Sequence, residues 1–328
     1  MVRFAIYGCG VISNTHALAL GDVEGAQLIG CADVNPASAQ QFAEKNQIRI
    51  FPDWNALISS PDVDAVCICT PSGTHAPLAI EALNAGKHVV LEKPMALTVA
   101  QCDEIIAAAE KTHTKITVIA QLRTEPDIIR AKELIDNGTL GKVTMVQLHM
   151  CYFRSPSYYQ GSWRGTKAMD GGGAVINQGI HGIDILQYLL GPVKNVQSIV
   201  RTLMHDIEVE DAAVAAVEFE NGAIGVITAS TATNPGYDRE INVYGTRGGF
   251  EFKEGTMVRL VIDKVDQPCN EFVADGKAGT NLLLNYKPHA KQLDLFVRAI
   301  NGENVSYPDQ FAGKQAVQLV ETIYNNSI

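Results

Sequence analysis

Val2-Arg3-Phe4-Ala5-Ile6-Tyr7-Gly8-Cys9-Gly10-Val11-Ile12-Ser13 decides the fold. Its first half is an almost uninterrupted apolar run, the pattern of a strand buried on both faces. Gly8-x-Gly10 then turns the chain into a helix. Glycines here let the backbone approach a pyrophosphate, which sits on the helix N-terminus. Gly8, Gly10, Val11 and Ile12 are therefore expected to bind a dinucleotide. The third position of the fingerprint is Ser13, where Gly or Ala is usual, but serine is still small. A second apolar run, 26–32, ends in Asp33 some twenty residues on. A carboxylate there receives the ribose hydroxyls and repels a 2′-phosphate, which favours NAD over NADP.

The strand–helix rhythm continues outward from this stretch. Residues 64–70 form a fully apolar strand, and 75–84 a helix closed by Gly86. Residues 88–91 form a strand, 99–111 a helix and 115–121 a strand. Thr98 is the expected N-cap of the second helix, with Gln101 three residues on. Continuous apolar strands joined by helices mean a doubly wound parallel sheet, placed at 1–122. Thr70-Pro71 and Lys93-Pro94 end two of its strands, where ligands bind in such sheets. A residue before proline is kept out of the helical region, so Lys93 is held extended toward the crevice. Thr70, Pro71, His75, Glu92, Lys93 and Gln121 join the expected cofactor set.

After a helix at 126–136 the pattern alternates. Strands are expected at 143–153, 196–204, 212–219, 223–230, 240–244, 250–252 and 258–262, with Asn221-Gly222 and Gly248-Gly249 as turns. This is one large, mostly antiparallel open sheet with helices at 173–190 and 289–300. It makes 123–328 an α+β domain for substrate binding and oligomerisation. A last helix, 311–324, is free to pack on either domain.

Composition excludes other classes. A net charge of −10 over 328 residues disfavours nucleic acid and membrane surfaces. No apolar stretch approaches the ~18 residues of a membrane span, and no signal peptide is read, so the expected location is the cytoplasm. The seven cysteines are scattered without zinc-like spacing and read as buried thiols; no metal is expected.

Gly171-Gly172-Gly173 lead into Asn177 and His181, four apart on the expected helix, with Asp184 placed to orient the His181 ring. The triple glycine allows another group to approach the helix start. Upstream, Tyr158-Tyr159 and Trp163-Arg164-Gly165-Thr166 form an aromatic and cationic loop suited to a nicotinamide, a sugar or an anion. Trp163 and Arg164 are assigned to the cofactor. Arg123, Arg154, Tyr159, Asn177 and His181 are assigned, with Lys93, to the substrate.

With these residues in place, the chain resembles the Gfo/Idh/MocA oxidoreductase family (glucose–fructose oxidoreductase, inositol dehydrogenase and relatives) over essentially its whole length. The resemblance rests on Gly8-x-Gly10, Glu92-Lys93-Pro94, Trp163-Arg164, Asn177-x-x-x-His181 and Val209-Glu210-Asp211 leading to Asn221-Gly222-Ala223. It implies an N-terminal Rossmann domain, a C-terminal domain with an open sheet, a nicotinamide cofactor, and dimers or tetramers built through that sheet. Inositol-dehydrogenase-like members carry Asp where this chain has Asn177, and an amide cannot ionise. The segments around Tyr158-Tyr159, Trp163 and Asn177 are more similar to the branch that oxidises nucleotide-linked N-acetyl-amino-uronates at C3.

The expected activity is NAD-dependent hydride transfer from a hydroxyl-bearing carbon of a sugar, sugar acid or nucleotide sugar. Lys93 or His181 is the base, and Asn177 bonds the substrate. The alternatives are a cyclitol or dihydrodiol dehydrogenase, a sugar–sugar oxidoreductase with a tightly held cofactor, and a non-catalytic NAD-binding sensor.

Overall fold

The computed structural model describes residues 1–272 and 285–328. The chain divides into two units, each with its own core. One comprises residues 1–121 and 285–314, the other 122–272 and 315–328. The chain thus returns to the first unit after its first crossing into the second. Among the described residues no helix is long and apolar enough to cross a membrane.

The first unit holds a six-stranded sheet of β1 (Val2–Tyr7), β2 (Ala26–Ala32), β3 (Arg49–Ile50), β4 (Ala65–Ile68), β5 (His88–Leu91) and β6 (Ile116–Val118). All pairings are parallel, in the order β3-β2-β1-β4-β5-β6. This is the doubly wound order whose switch point lies between β1 and β4. The helices are α1 (Val11–Gly21), α2 (Pro36–Asn46), α3 (Trp54–Ser59), α4 (His75–Asn84) and α5 (Val99–Thr112). Thr98 caps α5 by accepting the Gln101 N–H at 3.2 Å. The core joins Phe4, Ile6, Leu20, Phe42 and Val90 to Leu293, Phe296 and Val297 of a later helix.

The second unit opens with α6 (Pro126–Asp136) and β7 (Val143–Cys151), followed by α7 (Lys167–Asp170), α8 (Ile180–Leu190) and β8 (Val193–Arg201). The strands β9 (Ala212–Phe219), β10 (Ile224–Ser230), β11 (Glu240–Gly245), β12 (Gly248–Lys253), β13 (Thr256–Ile262) and β14 (Val265–Gln267) complete an eight-stranded sheet. Among the described strands of this sheet only β7 and β10 pair in parallel. Asn221-Gly222 is the β9–β10 turn, with Gly222 at φ 84°. Gly248-Gly249 is not a turn, contrary to expectation. Both lie inside β12, where a Cβ would meet the Val261 and Val243 carbonyl oxygens at 2.2 and 2.5 Å; the chain turns at Thr246-Arg247 instead.

One face of this sheet is packed. Val146, Leu148, Val217, Ile241 and Val243 bury against Ile128 and Ala131 of α6, Ile183 and Leu186 of α8, and Leu319 and Val320 of the last helix. The alternate positions face outward and include exposed Met145, Ile199, Val214 and Ile224. Two further helices follow, α9 (Lys287–Ile300) and α10 (Gln310–Asn325). α9 belongs to the first unit and α10 spans the division, so the helix at 289–300 does not stay with the sheet that precedes it.

Candidate active site

The nucleotide-facing elements of the first unit follow from steric need. Gly8 sits at φ 92°, and a Cβ there would lie 2.7 Å from the Cys69 carbonyl oxygen. Only glycine lets β1 and β4 close at their carboxyl ends. A Cβ on Gly10, by contrast, meets nothing within 4 Å. Gly10 precedes α1 and gives the first N–H groups of that helix no side-chain cap. Val11 is exposed and Ile12 half-buried there. Ser13 is buried, and its hydroxyl donates to the Gly10 carbonyl at 2.6 Å, a local bond that explains a serine at this position. Uncapped amides beside free volume fit a pyrophosphate.

Asp33 ends β2 beside this loop. Its carboxylate accepts the Cys9 N–H at 2.6 Å and the Asn35 N–H at 2.7 Å, tying the glycine loop to the start of α2. Thr70 and Pro71 follow β4. His75 opens α4 but is buried, with Nδ1 2.7 Å from the Pro94 carbonyl oxygen and Nε2 3.0 Å from that of Thr70. It spans the turns after β4 and β5, and burial lowers its pKa. Gln121 is buried just after β6. Lys93, half-buried, follows β5 in a cis Lys93–Pro94 segment.

Behind Lys93 lies a cluster that motif reading missed. His16 of α1, Glu92 and His289 of α9 are all buried, with ligating atoms within 4.8 Å of one another. His16 Nε2 and Glu92 Oε1 are 2.7 Å apart. Burial would raise the Glu92 carboxyl, but the His16 bond and the charges of His16, His289 and Lys93 bring it down to about 2. An ionised carboxylate only accepts, so Nε2 carries the proton. Burial, then the His16 charge, holds His289 down at about 4. A donor set of this kind suits a metal in principle. Here Glu92 already accepts His16 through one oxygen and the Lys93 N–H, at 3.2 Å, through the other.

In the second unit the expected helix at 173–190 is two pieces. Ala174–Gln178 is a π-helical turn, and α8 begins only after Gly179. A Cβ on Gly179 would meet the Val175 carbonyl oxygen at 2.5 Å. Asn177 therefore sits on the π turn and His181 in the first turn of α8, so their four-residue spacing is not that of one regular helix; such turns are frequent at functional sites. The close approach expected at the triple glycine is real. A Cβ on Gly173 would lie 1.7 Å from the Glu210 carbonyl oxygen, and one on Gly172 2.2 Å from the Tyr324 hydroxyl.

Asp184, expected to orient the His181 ring, pairs with Arg123. Its two oxygens accept from the Arg123 guanidinium at 2.9 and 2.7 Å. Arg123 is thereby held in an ion pair, with its guanidinium 4.9 Å from the Tyr188 ring centre. Asn177 donates to buried Asp170 at 2.5 Å, and Asp170 also accepts the Gly165 N–H at 2.5 Å. Asp170 thus ties the Trp163–Thr166 loop to the π turn. Arg154 and Arg164 lie 5.6 and 4.7 Å from the centre of the Tyr158 ring, and Arg164 lies 5.2 Å from that of Trp163. Tyr159 donates to Thr231 at 3.0 Å and packs on His205, which meets Asp211 at 3.0 Å. Asp170 and His205 carry no motif.

Comparison with known proteins follows both units. Residues 2–120 match the profile described as "Oxidoreductase family, NAD-binding Rossmann fold", and 128–251 that of the "GFO/IDH/MocA C-terminal domain". Myo-inositol 2-dehydrogenase of Thermotoga maritima is 30% identical over 75% of this chain and 74% of its own. The scyllo-inositol 2-dehydrogenase (NAD(+)) of Bacillus subtilis is 33% identical over 75% and 72%. The WlbA dehydrogenase of Bordetella pertussis, crystallised with NADH and UDP-GlcNAcA, superposes with a TM-score of 0.88 at 29% identity, covering 99% of this chain and 96% of its own. The chain belongs to the Gfo/Idh/MocA family of oxidoreductases, and its first unit is the NAD-binding Rossmann domain.

Proposed function

We propose that the chain is an NAD-dependent dehydrogenase of a sugar acid or nucleotide sugar, with Lys93 and His181 as its acid–base residues. The observation that carries this reading is the strand order. It sets the Gly8–Gly10 loop, Thr70-Pro71 and Lys93-Pro94 at the carboxyl ends of three neighbouring strands, β1, β4 and β5. The open volume before Gly10 and the uncapped α1 fit the pyrophosphate, and Asp33 fits the ribose hydroxyls. When bound, NAD supplies the hydride acceptor.

Lys93 holds the reacting oxygen and His181 removes its proton, or the two exchange these roles. Arg154, Arg164, Tyr158, Tyr159 and Trp163 offer cationic and aromatic surface to an anionic sugar. Asn177 positions the substrate while anchored to Asp170. A carboxylate at 177 would face Asp170 at 2.5 Å, an arrangement of like charges. This amide favours a sugar acid over a cyclitol, even though inositol dehydrogenases are among the relatives. The outward sheet face around Met145, Val214 and Ile224 is suited to a second copy of the chain, giving a homodimer or homotetramer.

The test is NADH formation at 340 nm with UDP-N-acetylglucosaminuronate, levoglucosan and myo-inositol. The nucleotide sugar is expected to be oxidised fastest, with Lys93→Met and His181→Ala each at least ~100-fold slower. Turnover of myo-inositol alone would replace the sugar-acid reading. No turnover of any substrate, with NAD still binding, would favour a sensor.

A further inference from the structure

Glu92 is a buried carboxylate beside the lysine on which the chemistry rests. Its two oxygens have separate duties: one accepts the proton of His16 Nε2, the other the peptide N–H of Lys93. His16 is itself fully buried in α1, edge-on to His289 at 5.7 Å between ring centres. The Nδ1 atoms of His16 and His289 are buried without a hydrogen-bond partner among the described residues. Three buried polar side chains from α1, the end of β5 and α9 thus converge on one another, and Glu92 among them holds the Lys93 peptide. An apolar filling would be the easier way to pack this space, because a buried carboxylate costs several kcal/mol when not compensated. What the charged arrangement adds is a negative charge fixed one residue from Lys93.

We propose that Glu92, fastened by His16, is a positioning residue for Lys93: it holds the Lys93 peptide through its N–H and supplies the buried negative charge that raises the proton affinity of the Lys93 amine. This rests on Lys93 being the reacting lysine for its catalytic meaning, but not for its electrostatic content. Among the described residues, the titratable groups that face Glu92 are His16 from α1, His289 from α9, Cys67 from β4, Cys69 just after it, His75 from α4, and Lys93 itself. The two thiols stay neutral because burial raises their pKa. His289 is neutral above about pH 4, and burial also favours neutral His75. Glu92 is therefore the one anion in this group, and removing its charge leaves Lys93 easier to deprotonate.

The experiment measures Lys93 directly in the full chain, without substrate. Acetic anhydride labelling across pH 6–11, about the range of lysine titration, read by peptide mass spectrometry, gives the midpoint at which Lys93 becomes reactive. Glu92→Gln keeps the side-chain shape and removes the charge; its Lys93 midpoint is expected to fall by at least about 0.5 pH unit. His16→Gln places an amide N–H toward Glu92 and keeps the carboxylate, so its midpoint should stay near wild type while His16→Leu drifts. If Glu92→Gln does not fold, Glu92→Asp carries the test: the charge draws back by one methylene and the midpoint falls by a smaller step. With a substrate in hand, kcat should fall in Glu92→Gln with KM little changed, and the lysine limb of the pH profile should move with the labelling midpoint. An unchanged Lys93 midpoint in a folded Glu92 variant overturns the proposal. An active Lys93→Met enzyme instead overturns the catalytic reading while leaving the electrostatic coupling standing.

Discussion

Gly173→Ala separates a packing requirement from a functional one. The new Cβ would fall 1.7 Å from the Glu210 carbonyl oxygen and 2.8 Å from its carbon, both backbone atoms that cannot swing away. The segment must shift by more than an ångström. The bonds at risk are Gly173 N–H to Glu210 at 2.8 Å, Val175 N–H to the same carboxylate at 2.9 Å, and Ala174 N–H to the Glu210 carbonyl at 3.1 Å. Tyr324 also donates to that carboxylate, at 2.9 Å. Hydrogen bonds to a buried charge are worth ~1.5–3 kcal/mol each. Losing one to two of them gives roughly 3 kcal/mol. At ~2–4 °C per kcal/mol for a unit of this size, the melting temperature of the second unit should drop by about 6–12 °C. Differential scanning calorimetry without NAD measures it, and Gly10→Ala is the control. A Cβ at Gly10 has open space, so stability should hold while NAD affinity is lost. A Gly173→Ala protein melting within about 1 °C of wild type would refute the requirement for glycine at 173.

Other outcomes follow from single contacts. Asp33→Ser combined with Val34→Arg should move preference from NAD toward NADP, measured by the two dissociation constants; equal affinity of the wild type for both would refute the role given to Asp33. His289 is buried and its folded pKa is lowered from 6.5 to about 4, so the unfolded state binds the proton first as pH falls. Stability should decline from about pH 6.5 down to about pH 4, by up to roughly 3 kcal/mol in full, and His289→Leu should flatten that decline in pH-dependent denaturation. If the proposed assembly forms, Ile224→Arg on the outward sheet face, where Ile224 is 52% exposed, should reduce it in light scattering without lowering the melting temperature of the second unit itself.

What the chain states locally was legible. Apolar runs closed by Gly8-x-Gly10, Thr70-Pro71 and Lys93-Pro94 dictate a parallel sheet, because periodicity and turn chemistry act over a few residues. The alternation from Val143 onward likewise dictates an open sheet with one packed face. Where a local signal was ambiguous, contact decided. Gly248-Gly249 reads as a turn, but neighbouring carbonyls need its missing side chains, so it is strand. The stretch after Gly173 reads as one helix, but the approach of Glu210 and the crowding at Gly179 break it into a π turn and α8. Asp184 lies one turn from His181, and its pairing with a guanidinium 61 positions away in sequence shows only in the fold. The His16–Glu92 pair, 76 positions apart, has no sequence signature, since a histidine inside a largely apolar helix carries no motif. The motifs and turns of this enzyme are thus written in its sequence. The partners that set charge and position at its reactive residues exist only once distant elements pack, because a buried charge takes its meaning from whatever surrounds it.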